Sequence, residues 1–227
     1  MLMDRTREIT VKGIGKLTVP VDYVEIQLII EKQDMDYKKG YESFEKDIIK
    51  IQKTIEKAGF SKKELKTSSI RVSPEYDNIR KNGEYAEVFK GYKFITGMKL
   101  SFDFESEKLN SIFSHISQSG LSPKIEVSFT VKDKETVKNN LLGEAAKDAE
   151  SKAKILCKSL GVKLGTLIKV NYNWDEIIFH SPTDFDLCSP RAIELSEDVL
   201  CAPSSIDFTP DDISVEDDAC FIWEIND

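Results

Sequence analysis

The side chains best suited to nucleophilic, acid–base or soft-metal chemistry in this 227-residue chain are two histidines, His115 and His180, and four cysteines, Cys157, Cys188, Cys201 and Cys220. Bond-making needs such groups to converge. Neither histidine has a second histidine or a cysteine at an HxxxH, HxH or CxxC spacing. His180, Cys188 and Cys201 follow one another at intervals of eight and thirteen, which fits no zinc pattern. There is no GxSxG for an activated serine and no GxxxxGK[ST] for phosphate. "GIGKLT", at residues 13–18, resembles a phosphate loop only superficially, because a strand rather than a helix N-terminus follows it. Carboxylates are plentiful but sit in charged runs, and no two are set apart as an acid and a base. The expectation is a chain with no catalytic residues, no cofactor and no metal.

One spacing does stand out. In "GEAAKDAESKAKILCKSLGVKLG" a small side chain recurs at every fourth position, Ala145, Ala149, Ala153 and Cys157. At 3.6 residues per turn these stack into one smooth stripe. Such a stripe lets something lie unusually close, either the underlying sheet or a partner subunit. The four residues are therefore a candidate close-packing or oligomer face.

The composition around these residues is globular: 40% hydrophobic, 32% charged and a net charge of -8. No stretch approaches 18 apolar residues, and "MLMDRTREITVKG" has no apolar run to act as a signal-peptide core, so a soluble, cytoplasmic chain is expected. Four scattered cysteines read as reduced thiols rather than a disulfide framework. Charge is unevenly spread: residues 175–227 carry -14 and the preceding 174 carry +6. Like charges keep such a segment solvated; a sharper reading makes it a cover for a basic surface, which gives the alternative of a polyanion- or ligand-binding module.

Hydropathy orders the elements. "EITVKGIGKL" and "DYVEIQLIIEK" alternate as half-buried strands, with Gly13 and Gly15 expected to permit a bend or bulge. Tyr37, Tyr41, Phe44, Ile48, Ile51 and Ile55 recur at intervals of four and three, the mark of an amphipathic helix closed by Gly59. "TSSIRVSPEYD", with Ile70 and Val72 inward, pairs through an Asn82-Gly83 turn with "FKGYKFITGMKLSFDF", whose Tyr92, Phe94, Met98, Leu100, Phe102 and Phe104 share a face. A short helix around Leu109–Ile116, a strand over Ile125–Val131, and the striped helix capped by Asp133 and ended by Gly161 follow. "GTLIKVNYNW" and "ACFIWEI" read as closing strands on either side of the acidic segment. Lysines interleave with aromatics in "YKKGYESFEK" and "GYKF" as on a single-strand-binding surface, but the rings are assigned to the core, so nucleic acid is disfavoured. Hairpins mixed with one-sided helices give an α+β class: a mostly antiparallel sheet with helices packed on one face.

Five blocks in order resemble the SIMPL-domain family, which includes bacterial periplasmic immunogenic proteins and proteins of oxidative stress defence. They are "ITVKGIGKLTVPVDYVEIQL", "TSSIRVSPEYD", "FKGYKFITGMKLSF", "AAKDAESKAKILCKSLGVKLGTLIKV" and "ISVEDDACFIWEI". Val21 separates Pro20 from Asp22 where the family tends to have them adjacent, and residues 175–212 read as an acidic insertion. The resemblance implies a single domain over 1–227, a tendency to build homo-oligomers, a part in stress defence or signalling, and no active-site residue to carry over. The leading expectation is a noncatalytic self-assembling protein, with an enzyme whose site forms between subunits as a further alternative.

Overall fold

In the computed structural model, residues 7–81, 84–172, 177–183, 185–186 and 206–227 are described. The expected Asn82-Gly83 turn and most of the acidic segment lie outside them. The elements in chain order are β1 (Glu8–Val19), β2 (Tyr23–Asp34), α1 (Tyr37–Lys57), β3 (Lys66–Lys81), β4 (Glu84–Asp103), α2 (Ser106–Gln118), β5 (Lys124–Thr130), α3 (Lys134–Leu160), β6 (Lys163–Tyr172), β7 (Phe185–Asp186) and β8 (Ile213–Asn226). This is the expected α+β class, with the strands divided between two sheets. The two-residue β7 lies in the segment read from sequence as a tail. Contacts divide the chain into two compact units, the first drawn from residues up to 21, 130–182 and 211–227, the second from 22–129 and 183–210.

The first unit holds a three-stranded sheet in the order β1-β8-β6, antiparallel throughout, with α3 against it. Helix α3 begins where the Asp133 carboxylate accepts the Thr136 N–H and ends at Gly161, whose φ of 71° is the left-handed conformation that glycine adopts without strain. Its underside meets Val11, Ala219, Phe221 and Trp223 in one cluster. Toward its N-terminus, Leu141 joins Val131, Phe179, Ile213 and Val215 in a second cluster.

The second unit holds a sheet in the order β3-β4-β2-β5-β7, with α1 lying on β2 and β4. Asp36 caps α1 through the Lys39 N–H at 3.0 Å, and Phe44, Ile51 and Ile55 point down from it. They meet a floor of Val24, Ile26, Leu28, Phe94, Met98 and Leu100, all buried. The alternation of β2 and β4 set this floor, since period-two side chains share one face of a strand.

Three sequence expectations need correction. Gly13 and Gly15 produce no bulge: β1 pairs with β8 without a register shift from Glu8↔Glu224 to Val19↔Ile213. Ile70 and Val72 stand directly opposite Thr96 and Phe94, so they do share the helix-side face, yet they are 66% and 38% exposed. The helix layer stops over β4 and leaves β3 bare. For the same reason Tyr37 and Tyr41 are not core residues; they lean on Phe94 at the margin of that layer and remain 50% and 48% exposed.

Candidate functional site

The small-residue stripe lies on the sheet of its own unit. Ala145, Ala149, Ala153 and Cys157 are at most 2% exposed in the single chain. Opposite them, a Cβ added to Gly13 would fall far inside 3.0 Å of the Ala145 carbonyl oxygen and 2.7 Å from the Ala149 Cβ, and one added to Gly15 would strike the Leu141 carbonyl oxygen. Real Cβ atoms do not approach backbone so closely. The glycines of β1 and the alanines of α3 are thus two halves of one contact, in which helix backbone rests on strand backbone.

A polar clasp locks that contact. β1 is an edge strand of its sheet, and an edge leaves backbone groups without a strand partner. The Asp148 carboxylate accepts the Ile14 N–H at 2.8 Å, and the Lys152 ammonium donates to the Asp148 carboxylate at 2.5 Å and to the Lys12 carbonyl at 3.4 Å. The hydrogen bond from Lys152, followed by that from Ile14, holds the Asp148 carboxyl below the ordinary carboxylate value.

The two histidines lie in separate grooves. His115 shares one of about 580 Å³ with Ser111, Asn110, Glu107 and Asp207, among others. Ser111 and His115 are four apart on α2, a spacing that brings side chains together. Their Oγ to Nδ1 distance is 3.5 Å, but the same Nδ1 lies 2.8 Å from the Ser111 carbonyl oxygen. A carbonyl only accepts, so Nδ1 carries the proton and cannot serve Ser111 as a base. Asn110 holds the groove's far wall, donating to the Ile206 carbonyl at 2.7 Å and accepting the Ile206 N–H at 3.3 Å. His180 pairs through its backbone with Thr130 and lines a groove of about 360 Å³ beside Lys134, Lys138 and Phe179. Among the described residues no three His, Cys, Asp or Glu side chains stand close enough to hold a metal ion. Cys157 is buried, and Cys220 is half-buried; Cys188 and Cys201 lie outside the described residues.

What sequence reasoning missed is apolar surface left over. In the second unit, rings touch in series from Tyr76 to Phe89 at 5.5 Å, Phe89 to Tyr92 at 5.2 Å, Tyr92 to Tyr37 at 5.2 Å and Tyr37 to Tyr41 at 6.4 Å. A β-bulge makes this series possible. Glu75 pairs with Gly91 and Tyr76 with Phe89, so Lys90 is an extra residue and Phe89 moves onto the face of Tyr92. Gly91 takes a φ of 117°, with no room for a Cβ beside the Asp34 carbonyl. The signal that could have found this surface is Pro74 within β3, since a strand proline marks an edge. In the first unit, Ile155, Leu156 and Leu160 of α3 and Leu167, Ile168 and Val170 of β6 are also exposed.

Helix-backed antiparallel sheets, with a glycine-bearing edge strand seated on an alanine-striped helix, define an α+β class of protein. A family model, SIMPL, described as a protein of unknown function (DUF541), matches residues 9–216, and the chain belongs to that family. No curated protein matches the chain. No helix is long and apolar enough to cross a membrane among the described residues.

Proposed function

We propose that this chain is a noncatalytic SIMPL protein that works by self-assembly, in stress defence or signalling as the family likeness implies. One observation carries the reading: the second unit retains an exposed face of touching rings beside Ile70 and Val72 that its helix layer does not cover. Surfaces of this kind on soluble chains are interaction sites far more often than accidents. The chemistry of the grooves supports the noncatalytic part, because the Ser111–His115 pair is wired with the proton on the wrong nitrogen and His180 has cations for neighbours.

The polyanion-binding alternative finds less support. Lys90 and Lys93, two of the cations interleaved with the aromatic residues, are tied to Asp77 at 3.3 Å and Glu31 at 2.7 Å. Light scattering on the purified chain over a wide concentration range tests the assembly reading. The expected mass is a multiple of 25.8 kDa at working concentration; a single-chain mass at every concentration contradicts it.

A further inference from the structure

We infer that the uncovered margin of the second unit, from the exposed strand β3 across the tyrosines of α1 to the far half of the β3–β4 hairpin, is a homotypic contact in which this face meets the same face of a second copy. The inference rests on the self-assembly reading and names the surface that performs it.

Three observations lead there. First, the face is made by a gap in the helix layer. Ile70 and Val72 point to the helix side of the sheet, but α1 packs on β2 and β4 and leaves them open. Tyr37 and Tyr41 form the bank of that gap on α1. Second, β3 and β4 continue pairing to Lys81↔Glu84, whereas β2 ends its pairing with β4 at Asp34↔Tyr92. Beyond that point the hairpin is a two-stranded ribbon, and such a ribbon is marginal in water without a further layer. Tyr76 and Phe89 lie on it and extend the ring series outward from Tyr92. Third, the bulge with Gly91 turns Phe89 toward the side of Tyr76 and Tyr92, where the α1 tyrosines stand.

The size and charge of the face select the occupant. At roughly 150–250 Å² for a whole aromatic side chain, the exposed parts of these rings with Ile70 and Val72 come to on the order of 400–600 Å². That is the size of a weak, reversible contact, in which each partner contributes up to about 600 Å². Tyrosine suits such a place, with an apolar ring for burial and a hydroxyl for the wet rim. A nucleic acid needs a surplus of cations, but here Lys90 and Lys93 are already ion-paired, and Lys38 and Lys39 stand beside the Asp36 carboxylate. Local neutrality suits a homotypic contact, because both copies bring the same net charge to one interface. Edge-to-edge addition onto β3 is opposed by Pro74 and by the register shifts at Thr67/Ser69 and Glu75/Tyr76. Contact through the side-chain face remains.

The experiment uses the full chain and two opposite charges at one exposed position, Ile70→Glu and Ile70→Lys, with sedimentation velocity as the readout and thermal melting as the control for folding. Each variant alone should raise the dissociation constant at least ~100-fold, since a charge is then buried or faces its like. An equimolar mixture of the two should recover association to within about tenfold of the unchanged chain, because a face that meets itself places the acidic variant's new side chain and the basic variant's in one interface, where their charges offset. Tyr41→Ser, which adds no charge, should weaken association by about tenfold. If the unchanged chain assembles and the Ile70 variants assemble equally well, the inference falls while self-assembly stands. Dissociated variants that stay apart on mixing overturn the homotypic arrangement. A monomeric unchanged chain removes both readings.

Discussion

The two units seat a helix on a sheet in opposite ways. In the second unit, α1 lays Phe44, Ile51 and Ile55 onto a floor of Ile26, Leu28, Phe94 and Leu100, so large side chains fill the space between layers. In the first, α3 lays alanines onto glycines, and almost nothing stands between the two backbones. The hydrophobic effect rewards area removed from water, so the first kind of contact gains its stability from bulk. The second gains less from bulk and more from close fit and from the Asp148–Lys152 clasp on the β1 edge. The bulky contact fails when volume is removed, and the close one when volume is added.

Substitutions should separate the two. Phe44→Ala should cost about 3–5 kcal/mol, the range for emptying a buried aromatic site, read by denaturant unfolding. Gly13→Ala and Ala149→Leu each add volume where none is free and should cost about 1–3 kcal/mol. Gly13→Ala belongs at the upper end, because the Ala145 carbonyl oxygen it strikes is held in the helix. If Ala149→Leu instead leaves melting intact and abolishes assembly, the stripe faces a partner and the comparison fails.

Asp148→Ala gives a smaller effect with a size that depends on pH. The carboxyl titrates below its ordinary value of 3.8 because of Lys152 and Ile14. A depressed carboxylate stabilises the fold above the unfolded value and loses that contribution as pH falls through the folded one. The melting difference between Asp148→Ala and the unchanged chain should therefore be full at neutral pH and shrink below about pH 3.8. A difference that grows on acidification contradicts the clasp. Smallest of all, Ile70→Glu should change the stability of the isolated chain by no more than about 0.5 kcal/mol, since the side chain already stands in water; a large loss would mean β3 is covered.

The sequence was most legible where a pattern has one physical meaning. Helix periodicity placed α1, and Asp133 and Gly161 marked the ends of α3. The four-residue spacing of Ala145, Ala149, Ala153 and Cys157 singled out the close contact. Its other half is ambiguous in sequence, because a glycine in a strand signals either a bulge or a close approach, and only the neighbour decides. Gly13 and Gly15 are the second case. Ile70 and Val72 were assigned to the correct face and the wrong environment, since alternation says which way a side chain points and not whether a helix lies over it. Phe89 eluded period-two reading altogether, because the extra residue Lys90 reverses the alternation there. Spacing alone places Tyr37, Tyr41 and Tyr92 in the core, which hides the face that they form with Tyr76 and Phe89.

Hydrogen exchange on the unchanged chain, compared between dilute and concentrated solution, tests most directly whether the stripe serves the fold and the aromatic face serves contact between copies. The account predicts added protection at high concentration along Tyr37–Tyr41, β3 and the far half of β4, with no change over Ala145–Cys157. Protection that grows along α3 and stays constant along β3 would contradict it.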